Sequence, residues 1–201
     1  MKFSVKNLPI AKQHSVLVVS LALLACCAFI FDSAINSFFV YQYQLISQGE
    51  LWRLFTGHFF HTNGFHLLLN LSALVLLWAL HGQFYTVKNY GLLLFSCAAI
   101  CSLGLFYFSP EIKQYVGLSG VLHGVFVFGA MMDIRHGDKT GYLLLLGLVL
   151  KIAHEQYYGA SQDVKALIDA NVAIDAHLWG AVGGLFFTGC YTIIFFRQLK
   201  Q

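Results

Sequence analysis

The chain has 201 residues, of which 58% are hydrophobic and only 10% charged, with a formal net charge of +3. A soluble domain carries roughly 25% charged residues, so this deficit excludes an ordinary water-soluble globule and implies a chain whose solvent is mostly lipid. The basic residues are few and scattered, which excludes a surface that tracks nucleic acid. With two prolines and no Pro/Gly/Ser linker, residues 1–201 read as a single domain of packed helices.

A spanning helix needs about 20 mostly apolar residues. Six stretches qualify or come close: 15–31, 65–81, 90–108, 119–132, 141–158 and 173–196. The fourth is short. The first has basic residues ahead of an apolar core, as a cleaved leader does, but Phe31-Asp32-Ser33-Ala34 offers no small-residue cleavage site. It therefore reads as a retained helix. Orientation follows from Lys and Arg. With the N-terminus inside, Lys2, Lys6, Lys12, Lys88, Arg135, Lys139, Arg197 and Lys200 face the cytoplasm, against Arg53, Lys113 and Lys165 outside. Both termini are thus expected to be cytoplasmic, with residues 32–64 and 156–172 outside. Cys26, Cys27, Cys97, Cys101 and Cys190 all lie in apolar segments and read as small buried hydrophobes, not as a disulfide framework.

Polar residues in a bilayer are costly and need partners, so each is a functional candidate. His66 and Asn70 are four apart, share one helix face and can both offer an N–H to a common point. Alternatively they only tie helices together. His61, just before this helix, is placed to cap or brace it. In Gly117-Leu118-Ser119-Gly120, a glycine-flanked serine opens an apolar helix. A helix N-terminus has unpaired N–H groups and a positive dipole end, so a serine there can sit beside an oxyanion site, or can be an N-cap and nothing more. The fourth stretch is too short to cross the core, so Ser119 is expected below the membrane surface. His177 lies about one turn into the last stretch, beside Gly180 and Gly184, whose spacing lets another helix approach closely. If that helix carries Ser119, His177 can reach the hydroxyl. Serine catalysis needs such a base together with donors for the oxyanion, and the three clusters supply both.

These residues resemble the rhomboid family of intramembrane serine proteases from about Trp52 to Gly184. Trp52-Arg53 looks like the family's W-R element. His61, His66 and Asn70 fit H-x-x-x-x-H-x-x-x-N, Gly117 to Gly120 fit G-x-S-G, and Ala176-His177-x-x-Gly180-x-x-x-Gly184 fits A-H-x-x-G-x-x-x-G. The resemblance implies an all-α, six-helix membrane bundle whose short fourth helix carries the catalytic serine. It implies a Ser119/His177 dyad without an acidic third member. It also implies an oxyanion hole of His66, Asn70 and the Ser119 amide, with Gly117 and Leu118 beside the substrate, and no metal or other cofactor. Where rhomboids often carry a tyrosine stacked on the catalytic histidine, this chain has His123, which can also titrate or hydrogen-bond. His123, the compact size and Lys151-x-x-His154-Glu155-Gln156 look like the rhombosortase branch. That likeness implies a bacterial inner-membrane enzyme acting on single-pass, membrane-anchored exported proteins with Gly-Gly-containing C-terminal tails.

Two other readings compete. A proteolytically inactive rhomboid-like protein would hold membrane clients, but such relatives usually lack the serine or the histidine. A metal-dependent enzyme or metal transporter would account for nine histidines, yet there is no H-E-x-x-H, and the intramembrane acids look too few to complete ligand sets.

Overall fold

The computed structural model describes residues 8–198, with side chains described to residue 193. In chain order the elements are α1 (Lys12–Ile30), α2 (Asp32–Phe39), β1 (Tyr41–Gln42), α3 (Tyr43–Ser47), α4 (Arg53–Thr56), a 3-10 turn (Gly57–Phe59), α5 (Gly64–His81), a second 3-10 turn (Gly82–Phe84), α6 (Val87–Phe108), β2 (Gln114–Tyr115), α7 (Ser119–Arg135), α8 (Thr140–Tyr158), α9 (Gln162–Ile168) and α10 (Ile174–Gln198). Among the described residues, α1, α5 with its following turn, and α6 are long and apolar enough to cross a membrane, with mean hydropathies of 2.1, 1.6 and 2.0. Lys2, Lys6 and Lys200, on which part of the charge count rests, lie outside the described residues, as does the side chain of Arg197.

Helix α7 is the hub. Gly120, Val121, Gly124, Val125, Phe128 and Met132 are buried on several of its faces, as expected of a helix enclosed by others rather than amphipathic. Its apolar side chains join Leu93 and Cys97 of α6, Leu74 and Leu77 of α5, and Val18 and Leu21 of α1 in one core cluster. The helix does not stop at Met132 as the apolar stretch suggests, but continues to Arg135. Asp133 looks like an end in the sequence, yet its carboxylate lies 3.0 Å from His81 Nε2 of α5 and stays buried inside the helix. Similarly, α6 starts at Val87 instead of Tyr90, because Thr86 and Asn89 form a reciprocal capping box.

The segment between α1 and α5 is a folded platform held by polar anchors. Arg53 is buried, with Nη1 and Nη2 donating to the carbonyls of Val40 and Ser37 at 2.8 Å each, and Nε donating to Glu50 at 2.6 Å. Trp52 Nε1 donates to the Phe38 carbonyl at 3.0 Å. β1 pairs antiparallel with β2, Tyr41 opposite Tyr115. Gly57 is required here, because a Cβ would lie 2.7 Å from the Tyr41 amide. The platform is thereby fastened to the stretch that leads into Ser119.

Candidate active site

Ser119 is the first residue of α7, and the N-cap is Leu118, with no side-chain cap. The serine is therefore not a helix cap. Its Oγ lies 3.0 Å from His177 Nε2 of α10. The approach is set by glycines. A Cβ on Gly180 would collide with the Gly120 carbonyl, and one on Gly184 with the Gly124 carbonyl, so α7 and α10 touch backbone to backbone. Both helices also press on α6, where Cys97 Sγ and Cys101 Sγ occupy the space that side chains at Gly124 and Gly120 would need. Cys97 and Cys101 are buried free thiols, whereas Cys27 and Cys190 are exposed and Cys26 is half-buried, so the expectation of five buried cysteines fails at three positions. All five are unpaired.

Gly117 has φ +122°, a conformation that favours glycine, and a Cβ there would lie 2.8 Å from His66 Nε2. The imidazole of His66 thus reaches the turn that precedes the serine. Tyr115 fixes this turn by donating its hydroxyl to the Gly117 carbonyl at 2.6 Å. Leu118 is buried. Asn70, one turn along α5 from His66, is buried and donates to the His66 carbonyl at 3.0 Å. Asn63, not His61, caps α5 by accepting from the His66 amide at 2.9 Å. His61 instead braces it, with its ring edge-on to His66 at 5.0 Å between centroids. Thr62 Oγ1 donates to the Ile168 carbonyl of α9 at 2.6 Å and lies 3.1 Å from His66 Nδ1.

Two histidines of the platform are held neutral by burial. The pKa values of His58 and His61 are both lowered to about 4; a smaller contribution at His61 comes from nearby His66. His58 Nε2 lies 3.0 Å from Ser102 Oγ, whose own proton goes to the Leu54 carbonyl at 2.6 Å. His58 therefore donates from Nε2. Its edge meets the Tyr115 ring, so it props the turn before the serine.

The side of His177 away from Ser119 departs from a dyad lacking an acid. Glu155 of α8 places Oε2 2.9 Å from His177 Nδ1, and its other oxygen lies 2.8 Å from Lys151 Nζ. Lys151 also lies 3.0 Å from His123 Nε2. The His123 ring stacks on His177 at 4.1 Å and 15°, and its Nδ1 donates to the Ser119 carbonyl at 2.7 Å. A mostly covered carboxylate without a partner would be costly, and the Lys151 ammonium supplies that partner. Ligand atoms of His123, Glu155 and His177 come within 4.8 Å of one another, a spacing that can hold a metal ion, so a single acid completes a candidate ligand set where the sequence suggested too few acids. Lys151 Nζ, within hydrogen-bond reach of two of them and 3.5 Å from the third, already supplies a cation there.

A cleft of about 660 Å³ opens over Ser119 and His66, walled by Asn36 and Gln42 of the platform and by Asn171 and Val172 before α10. A second cavity of about 280 Å³ holds Asn70, Ser119, His123, Glu155 and His177 beneath Val164 and Ile168 of α9. An apolar groove of about 390 Å³ runs from there between α5 and α8, past Leu76, Phe126, Leu143 and Gly147 to Lys151.

Over 144 residues the chain is 26% identical to rhomboid protease GluP of Bacillus subtilis (strain 168), an alignment covering 71% of this chain and 26% of GluP. It is 24% identical over 143 residues to YdcA, a second B. subtilis protein named for the same family, covering 69% of this chain and 66% of YdcA. The chain thus spans less than two thirds of the length of either relative. The Rhomboid domain model matches residues 48–194, the stretch that holds every one of these motifs, and the chain therefore belongs to the rhomboid family.

Proposed function

We propose that this protein is an intramembrane serine endopeptidase with Ser119 as nucleophile and His177 as general base. The observation that carries this reading is the 3.0 Å contact between Ser119 Oγ and His177 Nε2 beneath an open cleft. It also weighs against an inactive client-binding relative. As Ser119 Oγ attacks the scissile carbonyl, its proton passes to His177 Nε2 and the carbonyl oxygen becomes an oxyanion. The Ser119 amide, His66 and Asn70 are the donors for that oxyanion. An asparagine amide has two N–H groups, so the bond from Asn70 to the His66 carbonyl leaves one to offer. When the C–N bond breaks, His177 returns the proton to the departing amine. Water, deprotonated by the same nitrogen, then attacks the acyl group, the C–Oγ bond breaks, and His177 Nε2 returns that proton to Ser119 Oγ.

In this reading α1, α5, α6, α7, α8 and α10 form a six-helix membrane bundle, with both termini cytoplasmic in a bacterial inner membrane. Helix α7, with 17 residues, is about 25 Å long, shorter than the hydrocarbon core of about 30 Å. This length supports a position for Ser119 below the outer surface. The substrate class is a single-pass membrane anchor. Its helix lies along the apolar groove between α5 and α8, and its unwound outer end enters the polar cleft. Glycine lowers helix stability by about 1 kcal/mol relative to alanine, so a Gly-Gly pair at the helix end suits cleavage there. This agrees with the rhombosortase-like features of the sequence. The test is a secreted reporter bearing a Gly-Gly, apolar-helix, basic tail, co-expressed with the protein. Release from the membrane should occur and should stop when the glycine pair becomes two leucines. Equal cleavage of the leucine tail would overturn the glycine requirement, and failure to cut either would overturn the protease reading.

A further inference from the structure

We infer that Glu155 and Lys151 of α8 are positioning residues that fix the tautomer of His177, making a charged relay of Lys151, Glu155, His177 and Ser119. The inference deepens the serine-protease reading and rests on it.

The argument is one of donors and acceptors. A carboxylate only accepts, so the 2.9 Å contact from Glu155 Oε2 requires the proton of neutral His177 on Nδ1. Nε2 then presents a lone pair to Ser119 Oγ at 3.0 Å, the form a general base needs. The ammonium of Lys151 could spoil this. It lies 3.5 Å from the same Nδ1, and a proton donated there would force the opposite tautomer. Two stronger acceptors draw it away, Glu155 Oε1 at 2.8 Å and His123 Nε2 at 3.0 Å. His123 accepts because its own proton is committed from Nδ1 to the Ser119 carbonyl at 2.7 Å. Each polar atom of the cluster thus has one assignment consistent with its neighbours. When His177 takes the serine proton it becomes an imidazolium between two stabilising groups, the Glu155 carboxylate and the face of the His123 ring. Glu155 keeps its charge throughout.

The same logic makes a distinctive variant. In Glu155→Gln, Lys151 attracts the amide oxygen, so the amide NH₂ turns toward His177 Nδ1. It must donate, which pushes the histidine proton to Nε2 and removes the base. The analogous Asp-to-Asn change in the serine-protease template costs about 10⁴ in kcat. Removing the lysine as well frees the amide to rotate and present its oxygen to Nδ1–H. The double variant Lys151→Met/Glu155→Gln is therefore expected to be more active than Glu155→Gln alone.

The experiment uses the full chain in lipid, with three readouts: the rate of Ser119 labelling by a fluorophosphonate, kcat and KM on the tailed reporter, and the ¹⁵N shifts of His177. Glu155→Gln should label about 10²–10⁴-fold more slowly with KM little changed, and its His177 proton should move from Nδ1 to Nε2. The double variant should recover at least about tenfold, with the proton back on Nδ1. Labelling of Glu155→Gln at the unaltered rate with an unmoved tautomer would overturn the inference, as would a double variant slower than the single. A protein that itself never labels at Ser119 would instead sink the serine-protease reading, and the inference with it. The ¹⁵N shifts are read on folded protein without turnover, so a merely destabilised variant does not mimic the predicted reversal.

Discussion

Helices α7 and α8 are neighbours in sequence, similar in length and both border the site, yet they are held differently. Eleven of the 17 residues of α7 are buried, but only Gly141 and Leu148 of the 19 in α8 are. Ser119 rides on a helix whose backbone is in contact with that of α10, so Ser119 and His177 cannot drift apart without opening the seam at Gly120 and Gly180. Helix α8 reaches the site only through long side chains, Lys151 and Glu155, across a groove. One half of the site owes its precision to main-chain contact. The other owes it to hydrogen bonds from a helix whose own backbone contact with α7, Gly141 on the Ala130 carbonyl, lies at its opposite end. A site of the proposed kind, which must admit a helix, has reason to keep one wall fixed and another loosely packed.

The largest expected effect breaks the fixed half outright. Ser119→Ala and His177→Ala should each abolish cleavage, by up to about 10⁶-fold, with the double variant no worse than either single. Clear turnover by Ser119→Ala would reject serine catalysis. His66→Ala and Asn70→Ala should lower kcat by about 10²–10³-fold, more than they raise KM. An effect on KM alone would make that residue a substrate contact instead.

The contrast between the helices can be sharpened with glycines. Gly180→Val puts branched carbons onto the Gly120 carbonyl and must part α7 from α10. A 1 Å misplacement costs about 10²-fold, so activity should fall at least that far while insertion persists. Gly147 in α8 faces open space, and a Cβ added there would meet nothing within 4 Å. Because Gly147 lines the groove proposed for the substrate, the readout is the rate of Ser119 labelling by a small fluorophosphonate, which Gly147→Ala should leave unchanged while raising helix stability by up to about 1 kcal/mol. Equal damage from both substitutions would erase the distinction between the two walls.

The smallest effect concerns the platform that props the fixed half. Burial lowers the pKa values of His58 and His61 to about 4, while an unfolded chain titrates near 6.5. Between those values the unfolded state binds more protons, so stability falls as pH drops through about 6.5 towards 4, by on the order of a few kcal/mol. Thermal unfolding in detergent at pH 7 and pH 4.5 measures it, and the drop should shrink in His61→Phe. An unchanged Tm across the window would contradict the buried neutral state.

The sequence makes the fixed half conspicuous for a physical reason. Gly180 and Gly184 are visible because a close backbone approach must delete side chains at regular spacing, and Ser119 because a tight turn needs Gly117. Glu155 on His177 was not legible. Nothing local in Lys151-x-x-His154-Glu155 says which face of α8 turns inward, and the resemblance to a dyad left no place for an acid. The platform was equally hidden. Residues 32–63 hold no apolar stretch of spanning length, and Arg53 and Trp52 fasten them through main-chain carbonyls, which any sequence provides. Asn63 and Thr86 were missed as caps because apolar length was the guide to helix starts, and caps are polar residues outside that length.

The hydrogen bonding of His123 at both ring nitrogens also has a consequence for descent. A phenol has one polar end, whereas this ring uses two, one on the Ser119 carbonyl and one on Lys151. Position 123 therefore cannot drift independently of positions 151 and 155. A lineage that loses the lysine strands a ring nitrogen, and one that loses the glutamate sets the ammonium against His177. Inheritance of the three as a block is the mark this cluster should leave on its relatives.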